Sequence, residues 1–157
     1  FAATHAGNMS VEKFSDNLQD MQNHPQRLGL KTWVKQTKVI DDTYNANPDS
    51  MKAAIDVLCQ FKGRKIAILG DMAELGRYRK KLHLALGDYA KIHGVDFLLG
   101  YGDLIRHTTS AFGNKGFFFA NKLELIDFLR KILKTRDNIL LKGSRSMRME
   151  EILDLWK

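Results

Sequence analysis

The chain has 157 residues, of which 44% are hydrophobic and 27% are charged. This composition is typical of one folded globular domain and excludes a disordered chain. No apolar run approaches the roughly 20 residues that cross a bilayer, no leader-like region opens the sequence, and the single cysteine, Cys59, excludes an internal disulfide. We therefore expect a cytoplasmic protein without membrane insertion.

The net charge of +7 invites an anionic partner. Nucleic-acid binders concentrate basic residues in a stripe or a recognition helix, whereas here they alternate with acidic residues along the chain. A phosphorylated small molecule explains the excess equally well, and we expect no nucleic-acid partner. The densest cluster, Arg77 to Lys81, is interpreted as a solvated helix face rather than a phosphate-binding patch.

The first 37 residues differ in pattern from the remainder. Residues 10–21 look helical, and Asn23, His24 and Pro25 then interrupt the pattern. We place a domain junction near Pro25, so that residues 1–24 end a preceding domain and residues 25–157 form the next one. A strand over residues 28–34 is expected to pair with the following strand as a β-hairpin across residues 35–37.

From Lys38 onward, short apolar runs alternate with amphipathic stretches, which is typical of βα units. The runs are apolar throughout, as expected for strands that are covered on both faces. The fold class is therefore α/β: a Rossmann-like, mostly parallel sheet with helices on both faces and an N-terminal β-hairpin. The predicted strands are residues 38–43, 65–69, 95–99, 116–119 and 138–141, and the clearest helices begin at Pro48, capped by Asn47, and at Asn121.

Ligands of an open parallel sheet bind at the carboxyl ends of its strands. Five loops lie there, and two are unusually polar: residues 42–48 and residues 142–148. The first places a carboxylate, a phenol and two amides before a helix N-terminus, which suits sugar hydroxyls and phosphate. Its alternative is a turn whose Asn47 only caps the helix. The second surrounds a glycine and two serines with basic residues suited to a carboxylate or phosphate, and its alternative is a solvent-facing basic turn.

Other chemistries are not supported by the sequence. Gly100-Tyr101-Gly102 lacks the third glycine of a dinucleotide fingerprint. The five histidines lack zinc-site spacing, so no metal site is expected, and His83 is interpreted as a surface or packing residue. Cys59 has no evident histidine partner, no nucleophile elbow is present, and no phosphate-binding loop of the Gly-x-x-x-x-Gly-Lys-Ser/Thr type occurs. No catalytic residue is therefore predicted in this chain.

Three segments together resemble the Mur ligase family, in particular its D-alanyl-D-alanine-adding members. They are Ile40-Asp41-Asp42-Thr43-Tyr44-Asn45-Ala46-Asn47-Pro48-Asp49-Ser50-Met51, then Leu69-Gly70-Asp71-Met72-Ala73-Glu74-Leu75-Gly76 with His83, and finally Leu141-Lys142-Gly143-Ser144-Arg145-Ser146-Met147-Arg148-Met149-Glu150. The resemblance covers about residues 10–157.

The resemblance implies a bacterial, cytoplasmic, three-domain enzyme of peptidoglycan precursor synthesis. Its N-terminal and central domains bind UDP-N-acetylmuramoyl-tripeptide and carry the phosphate loop with the Mg²⁺ ligands. ATP phosphorylates the tripeptide's carboxylate, and the amine of D-alanyl-D-alanine attacks the acyl phosphate. Residues 25–157 would be the C-terminal domain that closes the site, inactive without the others, and residues 1–24 would be the end of the central ATPase domain.

The resemblance also implies site residues. Those expected to bind the nucleotide are Arg27, Asp42, Tyr44 and Asn45, with Asp42 near the ribose, and those expected to bind substrate are Asn47, Lys142, Ser144, Arg145 and Arg148. A sister ligase, including a glutamate-adding folate enzyme, would share the fold but not the string from Tyr44 to Pro48. A stand-alone α/β binding module is the remaining alternative, and an upstream phosphate loop in the same reading frame would exclude it.

Overall fold

The computed structural model of the protein describes residues 27–156. The helix predicted for residues 10–21, the junction at Pro25 and the assignment of residues 1–24 to a preceding domain lie outside these residues. Strands β1 to β6 are Gly29–Thr32, Lys38–Asp42, Lys65–Gly70, Phe97–Tyr101, Gly116–Phe119 and Asn138–Lys142. Helices α1 to α5 are Pro48–Cys59, Arg79–Ile92, Ile105–Phe112, Lys122–Ile132 and Glu151–Leu155.

The strands form one six-stranded sheet in the order β1-β2-β6-β3-β4-β5. Only β1 runs antiparallel to its neighbour, with Thr32 opposite Lys38, and the other four pairings are parallel. The predicted α/β class, the mostly parallel sheet and the N-terminal hairpin are therefore confirmed.

Two strands differ from their predicted ranges by more than one residue at an end, and each does so for a local reason. The fourth strand begins at Phe97 rather than Val95, because the N–H of Val95 donates to Ala90 O and so completes the turn that ends α2. The first strand is shorter than predicted at both ends: Leu28 has φ +48°, and a 3₁₀ turn begins at Val34.

The sheet is buried on both faces, as the uniformly apolar strands predict. Alternate residues of β3 show the division: Ala67 and Leu69 lie in the core beneath α1, α2 and α3, whereas Ile66 and Ile68 lie in the core beneath α4 and α5. Side chains of successive strand residues point to opposite faces, so one apolar run supplies both cores. The helices therefore lie on both faces, as expected.

Both predicted helix caps are present. Asn47 Oδ1 accepts the N–H of Ser50 at 2.8 Å, and Ser50 Oγ accepts the N–H of Asn47, so that two N–H groups at the start of α1 are satisfied reciprocally. Asn121 Oδ1 accepts the N–H of Glu124 at 2.9 Å in the same way at α4. The cap at Asn47 fixes where α1 begins, five residues after β2 ends.

The chain's hairpin is tied to its last helix by aromatic packing. The Trp33 ring, which follows β1, meets the Trp156 ring, which follows α5, edge to face with centroids 4.6 Å apart. Such aromatic pairs stabilise the folded state by more than the burial of their surface area alone would. The antiparallel edge of the sheet and the end of the described chain therefore form one packed unit.

Helices α2 and α3 approach each other closely at a glycine and a histidine. A Cβ atom on Gly87 would lie 2.2 Å from the backbone oxygen of Thr108, so no other residue fits without moving α3. His83 is fully buried one turn earlier, where its Nε2 accepts the N–H of Met72 at 3.1 Å and its Nδ1 lies 2.7 Å from Arg79 O. These contacts require a neutral ring that is protonated on Nδ1.

Gly87→Ala is expected to destabilise the domain by about 1–3 kcal/mol, because the added methyl forces α2 and α3 apart. A loss of stability would distinguish this position from an unobstructed helix position, where the change from glycine to alanine stabilises the protein by about 1 kcal/mol. Urea unfolding of the chain measures the difference. Asp88→Ala, at the neighbouring exposed position, is the control for helix propensity and should not destabilise. A Gly87→Ala variant as stable as the wild type would contradict the close contact.

His83 should make the domain less stable in mild acid. Burial lowers the pKa of His83 below its ordinary value, so below that ordinary value the unfolded chain is more protonated at this position than the folded chain. The stabilisation is complete above the unfolded pKa of about 6.5 and is lost progressively as the pH falls below it. Thermal midpoints from pH 7.5 to 5.5 should therefore fall less steeply in His83→Gln than in the wild type. His93→Gln, which removes an exposed histidine, should leave the wild-type slope.

Candidate functional site

The site lies where the connections after neighbouring strands leave in opposite directions. Strand β6 lies between β2 and β3. After β6 the chain enters α5 on one face, whereas after β2 and β3 it enters α1 and α2 on the other face. Such a switch point opens a crevice at the carboxyl ends of the strands, where α/β proteins bind ligands. The loops that follow β2, β3 and β6 form its edge.

A buried ion pair joins the first and last of these loops. Asp42 and Lys142 are directly paired in the parallel register of β2 and β6. Lys142 Nζ donates to Asp42 Oδ2 at 2.6 Å and to the backbone oxygen of Asn45 at 2.7 Å. The Lys142 side chain is only 2% exposed, against 11% for Asp42. The ammonium therefore neutralises the carboxylate and also holds the loop that follows it.

Some of the remaining polar groups of residues 42–48 make hydrogen bonds to neighbouring residues, and others are exposed. Thr43 is buried and donates its hydroxyl to Asp41 Oδ1 at 2.8 Å. Asn45 Oδ1 accepts the N–H of Ala46, and Asn47 Oδ1 caps α1. Tyr44 is 37% exposed, and Arg27 lies over its ring, 4.4 Å from guanidinium carbon to centroid. The structure thus brings together all four residues predicted to face a nucleotide.

The residues of the loop after β6 differ in their exposure to solvent. Ser144 is buried, where its Oγ accepts the N–H of Ala73 at 2.6 Å and its own N–H donates to Asp71 O. Arg145 is 51% exposed at its side chain and pairs with Glu150 Oε1 at 2.6 Å. Ser144 therefore holds the loop after β3, whereas Arg145 presents an oriented guanidinium to solvent.

Arg148 completes the loop in an unusual backbone conformation. Its φ is +46°, and its exposed side chain pairs with Glu151 at 2.8 Å. Lys122 of α4 donates both to the backbone oxygen of Arg148 and to Glu151 Oε2. The hydrogen bond from Lys122 lowers the pKa of Glu151 below its ordinary value. The Arg148 guanidinium is therefore held by Glu151, while its backbone oxygen is held by Lys122.

Asp71 and Glu150 contribute to the site although the sequence pattern assigns them no role. Asp71 Oδ1 accepts the N–H groups of Leu104 and Ile105, at 3.0 and 2.7 Å, and so caps α3 from the loop of another strand. Gly102 is required beside it, because φ is +126° there and a Cβ would lie 2.5 Å from Asp71 Oδ1. Two features of the sequence could have indicated this cap. Asp71 follows a strand directly, and the side chain of Leu104, the residue before α3, cannot accept a hydrogen bond from the start of that helix.

Two groups that could serve other chemistries are structural. His83 is buried and fully hydrogen bonded, which agrees with its interpretation as a packing residue. Burial raises the pKa of the Cys59 thiol, and this opposes a role as nucleophile. Over residues 27–156, no group of three His, Cys, Asp or Glu side chains could hold a metal ion, and no helix is long and apolar enough to cross a membrane.

Comparison with known proteins identifies related chains. Residues 26–145 match the family model described as Mur ligase, glutamate ligase domain. The chain is 35% identical over 146 residues to the UDP-N-acetylmuramoyl-tripeptide--D-alanyl-D-alanine ligase of Escherichia coli, covering 92% of this chain and 32% of that protein.

Solved structures give the same result. A MurF from Acinetobacter baumannii superposes with a TM-score of 0.77 at 30% identity, covering 94% of this chain and 34% of that one. A MurF ligase from Thermotoga maritima in complex with ADP superposes with a TM-score of 0.72 at 28% identity, covering 85% and 31%. The chain spans about a third of the length of these relatives. Because the family model covers most of the sequence, the chain belongs to the Mur ligase family.

Proposed function

We propose that this chain is the C-terminal domain, residues 25–157, of an ATP-dependent ligase that adds D-alanyl-D-alanine to UDP-N-acetylmuramoyl-tripeptide in the bacterial cytoplasm. One observation carries the proposal: the buried Asp42–Lys142 pair joins two of the three family segments at the switch-point crevice. Relatives that are 35% and 40% identical over 146 and 118 residues of this chain bear the name of that ligase.

The domain's contribution is to close a reaction site whose other side lies on the rest of the protein. An acyl phosphate formed on the tripeptide's carboxylate is hydrolysed by water unless the amine of the dipeptide reaches it first. Closure brings the reactants together and excludes water, which accelerates ligation and prevents the loss of the intermediate. Mg²⁺ would be held chiefly by the central domain, together with the ATP phosphates.

The nucleotide side of the crevice is formed by Arg27, Asp42, Tyr44 and Asn45. Lys142 occupies Asp42 Oδ2, and we assign the second carboxylate oxygen to a ribose hydroxyl. Tyr44 and Arg27 are exposed and in contact, so they offer an aromatic face and a cation beside a base or a phosphate. The same four residues are those that the sequence predicted.

We assign the dipeptide to the exposed guanidinium groups of Arg145 and Arg148, and Ser144 and Asn47 are the remaining residues assigned to substrate. A guanidinium binds a carboxylate through two parallel hydrogen bonds, and the carboxylate of D-alanyl-D-alanine is the group to be held. Glu150 and Glu151 orient the two arginines. Ser144 and Asn47 already have backbone partners, so Ser144 chiefly fixes the arginine loop against the loop after β3, and Asn47 fixes the start of α1.

The isolated 157-residue chain should neither hydrolyse ATP nor ligate the dipeptide, whereas the full-length protein from the same reading frame should do both. Phosphoryl transfer depends on positioning and charge stabilisation by a phosphate loop and Mg²⁺, and this sequence has no such loop. Calorimetric titration with Mg·ATP and a phosphate-release assay test the chain beside the full-length protein. Tight binding or sustained turnover by the chain alone would refute its assignment as a closing domain.

Arg145→Ala in the full-length enzyme should raise the KM for D-alanyl-D-alanine about tenfold or more while changing the KM for ATP less than about threefold, because one charged hydrogen-bonding partner of the dipeptide is lost. Steady-state rates with each substrate varied in turn provide the measurement. Arg130→Ala is the matched control: this arginine is similarly exposed and paired with Asp127, but it lies on α4. Equal increases in both KM values would indicate a role in closure instead.

A further inference from the structure

The charge of Lys142 is withdrawn from solvent although the residue lies at the edge of the crevice. Its side chain is 2% exposed, whereas the side chains of Arg145 and Arg148 on the same loop are 51% and 68% exposed. A ligand that arrives in the crevice can reach the two guanidinium groups directly, but it cannot reach a buried ammonium without displacing the loop above it.

The two acceptors of Lys142 lie on either side of a turn. Asp42 is the last residue of β2, and Asn45 lies in the middle of the loop that leads to α1. One ammonium bonds the carboxylate of the first and the backbone oxygen of the second. The position of the Asp42 carboxylate and the path of the loop are therefore set by the same atom, which is itself carried on another strand.

We infer that Lys142 is a positioning residue for the nucleotide: it fixes the Asp42 carboxylate and the Asn45 turn against the ribose, and it does not touch the incoming dipeptide. This role replaces the contact with the dipeptide that the sequence predicted for Lys142, and it rests on the proposed function of the Asp42 loop. The physical reason is that a buried charge stays where its acceptors are, because leaving either partner unpaired in the interior is costly.

Two properties separate this role from general support of the fold. Loss of Lys142 should weaken binding of the nucleotide and not of the dipeptide. This effect should depend on the presence of the Asp42 carboxylate. Once Asp42 has lost its charge, the ammonium has no carboxylate left to orient. Replacing Lys142 should then change the KM for ATP little further, as expected for two residues that act as one unit.

The experiment is a double-mutant cycle in the full-length enzyme with Lys142→Met, Asp42→Asn and the double variant. Lys142→Met should raise the KM for ATP about tenfold or more, as expected for the loss of a charged hydrogen bond, with the KM for D-alanyl-D-alanine changed less than about twofold. The double variant should lie within about threefold of Asp42→Asn alone. Lys31→Met is the matched control: it removes a lysine that pairs with Asp41, the residue beside Asp42, but is half exposed.

Hydrogen–deuterium exchange of residues 43–47 supplies a readout that does not require ligase activity. Lys142→Met should speed exchange there about tenfold or more, as expected for the loss of a charged hydrogen bond, and Lys31→Met should not. An increase in the dipeptide KM as large as that in the ATP KM, effects that multiply in the double variant, or unchanged exchange would each overturn the positioning role. A wild-type protein without ligase activity would instead refute the proposed function, and the exchange measurement would still decide whether Lys142 holds the loop.

Discussion

A buried ammonium must have acceptors, and most of the crevice is arranged around that requirement. Lys142 lies at the end of β6, which has a neighbouring strand on each side. Its charge can therefore be neutralised only by side chains or carbonyl groups that the neighbouring strands and their loops place beside it. Strand β2 brings Asp42 in register, and the loop after it turns back to add a carbonyl. A shift of one residue between β2 and β6 would separate the charges and turn the adjacent side chains to the wrong faces.

The same principle holds the neighbouring loops, because each is fastened by a residue from a different strand. Asp71 after β3 caps the helix that follows β4, and Ser144 after β6 accepts an N–H from the loop after β3. Lys142 and Ser144, which fix the edge, are buried, and the exposed residues Tyr44, Arg145 and Arg148 have partners that orient them. The edge is therefore preorganised, which reduces the ordering required when a ligand binds.

Much of this architecture could be predicted from the sequence. Uniformly apolar strands indicated a sheet covered on both faces, Asn47 and Asn121 marked two helix starts, and the rule that ligands bind at carboxyl ends selected the loops that meet at the crevice. The depth of Lys142 could not be predicted, since lysine is usually exposed and its burial depends on a partner 100 residues away. The cap supplied by Asp71 was equally hidden, because its helix begins 34 residues later.

The aromatic contact between Trp33 and Trp156 has a mechanical consequence for the described part of the chain. The hairpin lies next to the start of the described chain, and α5 follows directly after Glu150, the partner of Arg145. Because the hairpin and α5 are packed against each other through these two rings, a displacement of the hairpin is transmitted to α5 and to the arginine loop before it. The contact thus keeps the hairpin and the arginine loop in a fixed position relative to each other.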